Sequence, residues 1–516
     1  MKHLPHPSSF ARSDPDRPAF ILYEDGATLS YGALVERSAR AANLLAQLGV
    51  EEGDTIALLM ENNIRYPELL WAAKDSGLRY VSISNHLNAS DAAYIIADCG
   101  ARAVIASHAE AELACAAVAM LAQRPILLMV DGAQAPFADY DGLLDGQSAR
   151  PMTGRRRGAS MLYSSGTTGR PKGVRTQIAD VPPTVPPGRF AMLIKQYGFD
   201  ERSLFLNPAP FYHAGPQRFM MTVHRSGGTV LGFRNFHADT LLRAMTDHRV
   251  THGFMVPTMF ARLLAADPKM REGVDLSGLR HMIHGAAPCP VDVKRAMIDW
   301  WGPVIDELYS GTEAIGHSFI SSREWLEHPG SVGRPASNCT LRIVDDQGND
   351  LPPGVPGRIL MSNGLDVAYH GAAADMALRG ADGFGSLGDI GYVDADGYLY
   401  LTDRESHMII VGGVNIYPQE AESILATHPL IADVAVIGVP HPDMGEEVKA
   451  VVQPVSWPQD EQAAAQDIIA YCRARLSLHK CPRSVDFVAE LPRNALGKLL
   501  KKDLRRLYWK DRQTLI

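Results

Sequence analysis

The stretch YSSGTTGRPKG, residues 163–173, decides most of what this sequence says about its fold and chemistry. Glycines let backbone N–H groups turn toward an anion without a Cβ in the way, and hydroxyl side chains add further donors. Lys172 contributes a positive charge. The stretch therefore predicts a loop that binds a polyphosphate. Its hydroxyl residues are Ser164, Ser165, Thr167 and Thr168, and its glycines are Gly166, Gly169 and Gly173.

The loop is not the P-loop of many nucleotide-hydrolysing enzymes, whose pattern is GxxxxGK followed by Ser or Thr. Here Lys172 is followed by Gly173, and the glycine spacing differs. A polar surface loop is the plainer interpretation. So dense a combination of hydroxyls, glycines and a lysine nevertheless favours phosphate binding.

The bulk composition narrows the class of protein. The chain has 516 residues, enough for roughly two to four domains. Its net charge of −8 gives no sign of nucleic-acid binding, and no apolar run reaches the roughly 18 residues that span a membrane. The N-terminus lacks the apolar segment of a signal peptide, so a cytoplasmic location is expected. The six cysteines have no CxxC spacing, which argues against a zinc site or a disulfide framework.

Helical and strand patterns alternate in the first half of the chain, which favours an α/β fold. Ser30 is a candidate N-cap for a helix with an apolar face, and Gly49 can end that helix. TIALLM, residues 55–60, predicts a buried strand, and residues 66–73 predict a helix. The proline-rich VPPTVPPG, residues 181–188, predicts a surface excursion.

The second half is richer in turns. From Ser331 onward, short strand patterns between glycine and proline turns predict a small β-barrel. Closer to the C-terminus, VAVIGV at 434–439 predicts a core strand and residues 467–476 predict a helix. These patterns predict a separate small α/β domain.

PAPFYHAG, residues 208–215, places Phe211, Tyr212 and His213 beside Gly215. Aromatic side chains next to a small residue suit an apolar ligand. Taken alone, His213 would more often be a buried structural histidine.

HGAAP at 284–288 and YSGTE at 309–313 each follow a strand-like run and form small-residue turns. Alone, Glu313 would be a surface acid, but its neighbours favour a ligand role. Cys289 follows HGAAP with no base beside it in the sequence, and we expect it to be a buried cysteine.

These motifs resemble, in order, those of the adenylate-forming superfamily of acyl-CoA synthetases, adenylation domains and luciferases. Two later stretches carry the same resemblance, LTDRESHMIIVGGVNIYPQEAE at 401–422 and PRNALGK at 492–498. The resemblance spans nearly the whole chain. It implies a large N-terminal domain, residues 1–405, with two helix-flanked β-sheets and a β-barrel. It also implies a small mobile C-terminal α/β domain, residues 406–516, hinged near Ser406, where lysine or aspartate is usual.

The resemblance implies how ATP is bound. Tyr309 would flank adenine and Thr312 would meet the α-phosphate. Asp389 and Arg404 would hold the ribose, although Leu387, just before the Gly388–Asp389 pair, stands where the family usually has threonine. The residues implied to bind ATP, Mg²⁺ or CoA are Ser164, Ser165, Gly166, Thr167, Thr168, Gly169, Lys172, Gly285, Ala286, Ala287, Tyr309, Ser310, Gly311, Thr312, Glu313, Asp389, Arg404, Gly412, Gly413 and Lys498, with Thr168 and Glu313 as the metal ligands.

The resemblance also limits the acid. Ser310 stands where acetyl-CoA synthetases carry a tryptophan that shortens the pocket. Amino-acid adenylation domains carry an aspartate beside the substrate, and this chain has none in PAPFYHAG. We therefore expect an apolar acid larger than acetate: fatty, aromatic or steroid-like. The implied pocket residues are Phe211, Tyr212, His213, Gly215, Gly285, Gly311, Ile315 and Gly316.

The implied function is an ATP-dependent acyl-CoA synthetase that forms an acyl-AMP and then an acyl-CoA, with ATP, Mg²⁺ and coenzyme A as cofactors. Its catalytic residues would be Lys498, Glu313, Thr168, Lys172 and His213. The expected partners are a small carboxylic acid, ATP and CoA, and a homodimer is kept as an option. Two alternatives stay open: an acyl-AMP ligase that loads a carrier protein, and a nucleotide-binding regulator without turnover.

Overall fold

The computed structural model describes residues 5–164, 171–365, 367–371, 378–404, 407–411, 414–416, 418–441, 444–476, 478–493 and 499–509. The chain divides into two compact units. Unit 1 comprises Met1–Ala286, Val293–Ala314 and Leu365–Gly380, and unit 2 comprises Ala287–Asp292, Ile315–Gly364 and Ala381–Ile516. The expected hinge residue Ser406 lies outside the described residues, and the domain boundary at 405–406 stays a prediction.

The strands, in chain order, are β1 (Pro18–Leu22), β2 (Ala27–Ser30), β3 (Thr55–Leu59), β4 (Arg79–Ile83), β5 (Ala101–Ser107), β6 (Ile126–Val130), β7 (Ala138–Asp139), β8 (Ala159–Ser164), β9 (Lys172–Thr176), β10 (Leu204–Asn207), β11 (Thr229–Gly232), β12 (His252–Met255), β13 (His281–Gly285), β14 (Ile305–Ser310), β15 (His317–Ile320), β16 (Ser331–Pro335), β17 (Thr340–Val344), β18 (Gly357–Ser362), β19 (Val367–His370), β20 (Asp389–Val393), β21 (Leu399–Arg404), β22 (Ile409–Val411), β23 (Val414–Ile416), β24 (Ile431–His441), β25 (Gly445–Pro454) and β26 (Ser484–Phe487).

The α-helices are α1 (Pro7–Ser13), α2 (Tyr31–Gln47), α3 (Tyr66–Asp75), α4 (Ala89–Asp98), α5 (Ala111–Ala119), α6 (Tyr140–Asp145), α7 (Gly188–Tyr197), α8 (Ala214–Arg225), α9 (Ala238–Asp247), α10 (Pro257–Leu264), α11 (Pro268–Arg271), α12 (Val291–Trp301), α13 (Ser322–Glu327), α14 (Pro418–Leu425), α15 (Glu461–Arg473) and α16 (Lys501–Tyr508). Within the described residues, no helix has both the length and the apolar run needed to cross a membrane.

Unit 1 contains two runs of paired strands. One is an eight-stranded sheet in the order β19-β9-β8-β4-β3-β5-β6-β7, and the other pairs in the order β14-β13-β12-β10-β11-β1-β2. Most of these pairs are parallel, while β2, β9 and β19 join antiparallel. Helices alternate with the strands along the chain, so the predicted α/β architecture is confirmed.

The local predictions in unit 1 follow from capping and burial. Ser30 caps α2, since its hydroxyl accepts a hydrogen bond from the backbone N–H of Ala33 at 3.2 Å. All five residues of β3 are buried, as TIALLM predicts. Helix α3 begins at Tyr66, where the apolar pattern predicts it.

The proline-rich stretch at 181–188 is held by side chains, because a proline has no N–H to join a ladder and its neighbours' carbonyls need other donors. The Arg225 guanidinium donates to the carbonyls of Pro183 at 2.8 Å and Thr184 at 3.1 Å. Arg157 donates to the carbonyl of Val185 at 2.6 Å. The excursion is therefore a fixed connection.

Unit 2 contains an antiparallel run in the order β17-β18-β20-β21-β16-β15, where the sequence predicts a small β-barrel. A closed barrel would require the two end strands of this order, β17 and β15, to pair with each other. Among the described residues they do not pair.

A further five-stranded sheet is built from β22 to β26, with its core around Val436, Val448 and Ile468. It confirms the small C-terminal α/β domain and the VAVIGV strand. Its helix α15 begins at Glu461 instead of Asp467, because Asp460 accepts a hydrogen bond from the N–H of Ala463 and caps the helix earlier.

Candidate active site

The predicted phosphate loop connects two strands of an antiparallel hairpin in unit 1. Strands β8 and β9 pair so that Tyr163 faces Gly173 and Ser164 faces Lys172. A Cβ on Gly173 would lie 3.0 Å from the Tyr163 ring, so this glycine makes room for the tyrosine. The Tyr163 hydroxyl donates to Asp98 Oδ2 at 2.6 Å, which anchors the hairpin. Lys172 is thereby fixed at the start of β9, next to the loop.

The central loop residues lie outside the described residues, and their predicted role in phosphate binding stays a prediction. They are Ser165, Gly166, Thr167, Thr168 and Gly169. Ser164 is described only as the last residue of β8.

Lys172 lies near the side chain of Tyr369, and the charge of Glu313 acts on the same side chain. Strand β19 pairs with β9 and places Tyr369 opposite Val174. The Lys172 Nζ lies 5.7 Å from the centroid of the Tyr369 ring. Burial raises the pKa of the Tyr369 hydroxyl, and the nearby negative charge of Glu313 raises it further. Tyr369, which no motif in the sequence marks, is thus influenced by charges from two motifs about 140 residues apart.

The YSGTE turn follows β14, whose first three residues, Ile305 to Glu307, are buried. The residues from Tyr309 to Glu313 are all partly exposed. Ala314 has a positive φ of 52°, an unfavourable conformation for a residue with a Cβ. The strand therefore ends in a strained turn that presents Tyr309, Ser310, Gly311, Thr312 and Glu313 to solvent or a ligand.

Glu313 fits the role of a magnesium ligand. Its side chain is partly exposed, and within the described part of the chain no group donates a hydrogen bond to its carboxylate. Carboxylate oxygens are the protein ligands that Mg²⁺ prefers. Its partner in the predicted metal site, Thr168, lies outside the described residues.

The HGAAP turn lies next to the YSGTE turn. Strands β13 and β14 are parallel, with Gly285 opposite Leu308, so both turns leave from the same edge of the sheet. A Cβ on Gly285 would lie 2.5 Å from the Leu308 carbonyl oxygen, which explains the glycine. Ala286 is exposed and has a positive φ of 70°. Ligands of open α/β sheets bind at such carboxyl edges. Ala287 belongs to unit 2 and is partly exposed.

A buried charge pair lies beside the ends of β13 and β14, the strands that lead into the two turns. Lys294 of α12 donates to Glu307 Oε2 at 2.7 Å, and the side chains are 0% and 7% exposed. The Nε2 of His284, the residue before Gly285, lies 3.4 Å from the same oxygen. Burial, and the charge of Lys294, hold the pKa of His284 well below its ordinary value, so the imidazole is neutral. The network fixes the ends of the two strands that carry the turns.

His213 and Tyr212 precede α8, with ring centroids 4.4 Å apart. The His213 Nε2 is shielded from solvent and has no hydrogen-bond partner within the described residues. Burial, together with the charge of His86, lowers the pKa of His213 to about 3. His213 is therefore a neutral ring near physiological pH, in keeping with an apolar pocket wall.

Several predicted pocket residues pack inside the protein instead. The Phe211 ring is fully buried, 5.7 Å from Phe20 and 5.6 Å from Tyr66 between centroids, so it belongs to the core. Gly215 abuts the Phe254 ring, which a Cβ would approach to 3.0 Å. Sequence spacing brings neighbours together but does not tell which way each side chain points.

In unit 2, Ile315 is 0% exposed, and a Cβ on Gly316 would lie 2.5 Å from the Cβ of Met361. Both residues are therefore enclosed by protein atoms. Tight packing in place of ligand contact is the physical reason that Gly316 is a glycine.

The two predicted ribose-binding residues lie opposite each other in unit 2. Asp389 of β20 pairs in register with Arg404 of β21, and Asp389 is 6% exposed. The side chain of Arg404 lies outside the described part, as do Gly412, Gly413 and Lys498.

Comparison with known proteins identifies the family to which the chain is similar. The family model "AMP-binding enzyme" matches residues 8–366, and "AMP-binding enzyme C-terminal domain" matches residues 420–498. A feruloyl-CoA synthase of Amycolatopsis sp is 34% identical over 96% of this chain and 97% of its own. A fatty acid–[acyl-carrier-protein] ligase of Streptomyces coeruleorubidus is 29% identical over 99% of both chains. The structure of o-succinylbenzoate CoA synthetase from Bacillus subtilis with its acyl-adenylate intermediate matches with a TM-score of 0.80 and 26% identity, over 97% of this chain and 98% of that one.

Proposed function

Since the chain belongs to the AMP-binding enzyme family, we propose which acid it activates and which of its residues carry out the activation. The protein is an ATP-dependent acyl-CoA synthetase that forms an acyl-AMP and then a CoA thioester. ATP and CoA are its substrates. The match to a family of enzymes and to ligases along the whole chain supports an enzyme over a nucleotide-binding regulator without turnover.

Lys172 lies 5.7 Å from the centroid of the Tyr369 ring, and the charge of Glu313 acts on the same tyrosine; this observation supports placing the catalytic centre at Lys172 and Glu313. A carboxylate cannot readily attack the α-phosphorus of ATP while both groups are anionic. Lys172 would screen the triphosphate, and Thr312, in the same turn as Glu313, would donate to the α-phosphate. When bound at Glu313 and Thr168, Mg²⁺ supplies further charge neutralisation.

In the first half-reaction, a carboxylate oxygen of the acid attacks the α-phosphorus and pyrophosphate leaves. Lys498 would stabilise the charge that develops on the nucleotide and the carboxylate. In the second, the CoA thiol attacks the acyl carbon and AMP leaves. We propose that residues 406–516 act as a lid that turns between the two half-reactions. This movement would withdraw Lys498 and open a path for CoA beside Gly412 and Gly413.

We propose an acid with an apolar body larger than acetate. Ser310 and Gly311 are small and partly exposed at the end of β14, which leaves room where a large side chain would stand. His213 is uncharged and Tyr212 is aromatic, so both suit an apolar body. Fatty and aromatic acids meet this description.

A carrier protein is the second candidate thiol, since a similar chain is named a fatty acid–[acyl-carrier-protein] ligase. A panel of acids of rising length and bulk, assayed for AMP formation with CoA and without carrier protein, tests the proposal. We expect CoA-dependent AMP release with one group of larger acids. Acyl-AMP that accumulates until a carrier protein is added would favour the second candidate, and turnover with acetate alone would contradict the large pocket. Mg²⁺ dependence, a cytoplasmic location and a homodimer stay predictions.

A further inference from the structure

Arg218 is a charged side chain beside the proposed acid pocket that the sequence motifs do not mark. It lies on α8, one turn after Gly215 and thus on the same side of the helix. Gly215 touches Phe254, and His213 immediately precedes the helix. Arg218 is therefore placed near the residues proposed to contact the acid.

The two residues that flank Arg218 in the sequence of α8 both have partners. Gln217 donates to Ser82 Oγ at 2.7 Å, and Phe219 stacks on Phe254 with 5.3 Å between centroids. Within the described residues, by contrast, the Arg218 guanidinium donates no hydrogen bond, and its Nε is shielded from solvent. The side chain as a whole keeps partial exposure, so a ligand can still reach it.

A second arginine shares this condition. Arg189 lies on α7, which packs against α8, and its Nε is likewise shielded and without an acceptor in the described part of the chain. Arg225, also on α8, shows how a buried guanidinium with a structural role is bound in this chain. It donates hydrogen bonds to three backbone carbonyls. Arg189 and Arg218 lack such acceptors.

The two guanidinium groups repel each other. Burial, and the charge of Arg189, lower the pKa of Arg218 to about 9, so it remains a cation at neutral pH. Among the described residues whose charges act on Arg218, Glu313 is the carboxylate, and the proposed function assigns it to Mg²⁺. Two partly desolvated cations without a dedicated acceptor make a site for an anion, because guanidinium pairs well with carboxylate.

We propose that Arg218, assisted by Arg189, forms an anion-binding subsite beside the acid pocket, and that the substrate is a dicarboxylic acid with an apolar body. This inference rests on the proposed function, since it names the class of acid that the same pocket takes. One carboxylate would be activated by ATP, and the other would pair with Arg218. A phosphate group of ATP is the other source of an anion, and the experiment separates the two.

The test compares matched acids, hexanoic with adipic and octanoic with octanedioic, in wild type and in Arg218→Leu. The measured quantity is the ratio of kcat/KM for diacid over monoacid. We expect wild type to favour one of the diacids, and Arg218→Leu to lower that ratio about 10- to 100-fold, as for loss of a charged hydrogen bond. Arg202→Leu, whose side chain is 82% exposed, is the control and should keep the ratio.

Two further measurements keep the outcomes distinct. Calorimetric titration of the ATP-free protein with octanedioic acid should show binding that Arg218→Leu weakens. If no acid is activated but this binding is seen, the proposed function fails and the subsite stands. Thermal unfolding should show Arg218→Leu to be more stable than wild type, because an unpaired buried charge is removed. A wild-type preference for monoacids, an unchanged ratio in Arg218→Leu, or a raised KM for ATP with an unchanged ratio would overturn the proposal.

Discussion

Replacing Lys294 with Met tests the claim that a buried charge pair holds the two turns in place. Lys294 and Glu307 are 0% and 7% exposed and 2.7 Å apart, so removing the lysine leaves a buried carboxylate without its counter-charge. Breaking one side of such a pair costs about 3–5 kcal/mol. We expect that loss in the free energy of unfolding of Lys294→Met, measured by urea denaturation at pH 8.

The loss should depend on pH in a defined direction. Burial raises the pKa of Glu307, and Lys294 opposes that rise. Without Lys294 the pKa rises further, so the carboxylate takes up a proton more readily in the folded state. Because a raised carboxyl pKa destabilises the fold at pH values above it, the difference between variant and wild type should shrink as the pH falls through this pKa. We expect a smaller deficit at pH 5 than at pH 8.

A double variant separates charge from shape. Lys294→Met combined with Glu307→Leu removes both charges, and we expect it to recover most of the lost stability, because apolar pairs often replace buried ion pairs at little cost. The reasoning would be refuted if Lys294→Met cost less than about 1 kcal/mol, or if the double variant were no more stable than the single one.

Four further outcomes follow from the same structure. Glu313→Gln should raise the Mg²⁺ concentration needed for half-maximal adenylation about tenfold, since a neutral amide is a weaker ligand for a hard cation; an unchanged Mg²⁺ titration would count against the metal role. Lys498→Ala should slow adenylation about 10²–10³-fold while thioester formation from supplied acyl-AMP survives, whereas equal losses in both would indicate a structural lysine. Gly316→Ala should cost about 1–3 kcal/mol in urea denaturation because the new Cβ meets Met361, and a wild-type midpoint would show that this site has spare room. His213 is neutral above its pKa of about 3, so the profile of kcat/KM between pH 5.5 and 8 should keep its shape in His213→Asn; loss of an inflection near 6.5 would show that the histidine titrates.

Local sequence signals predicted helix starts and buried strands well where a single capping residue or an apolar run determines them. Ser30 has both the side chain and the position to cap α2, and the uninterrupted apolar run of β3 is buried on both faces. Helix α15 shows the limit. Asp460 caps it, so the helix starts at Glu461, six residues before the beginning that the pattern indicated.

The site was predicted in part, for a physical reason. Motifs such as YSGTE reflect chemistry among residues close together in the sequence, and the charges of Glu313 and Lys172 both lie near enough to Tyr369 to act on it. Tyr369 and Arg218 carry no local signature, because their roles arise from strand pairing and helix packing over long sequence distances. Phe211 is fully buried against neighbouring rings, which its motif does not predict, and its place in the acid pocket stays a prediction.

Exchange of radioactive pyrophosphate into ATP tests the central claim most directly, because it reports reversible formation of an acyl-AMP at one site. We predict exchange that requires both the carboxylic acid and Mg²⁺, needs no CoA, and falls when Glu313 is changed to Gln. Exchange without added acid, or release of ADP and phosphate in place of AMP and pyrophosphate, would contradict the account.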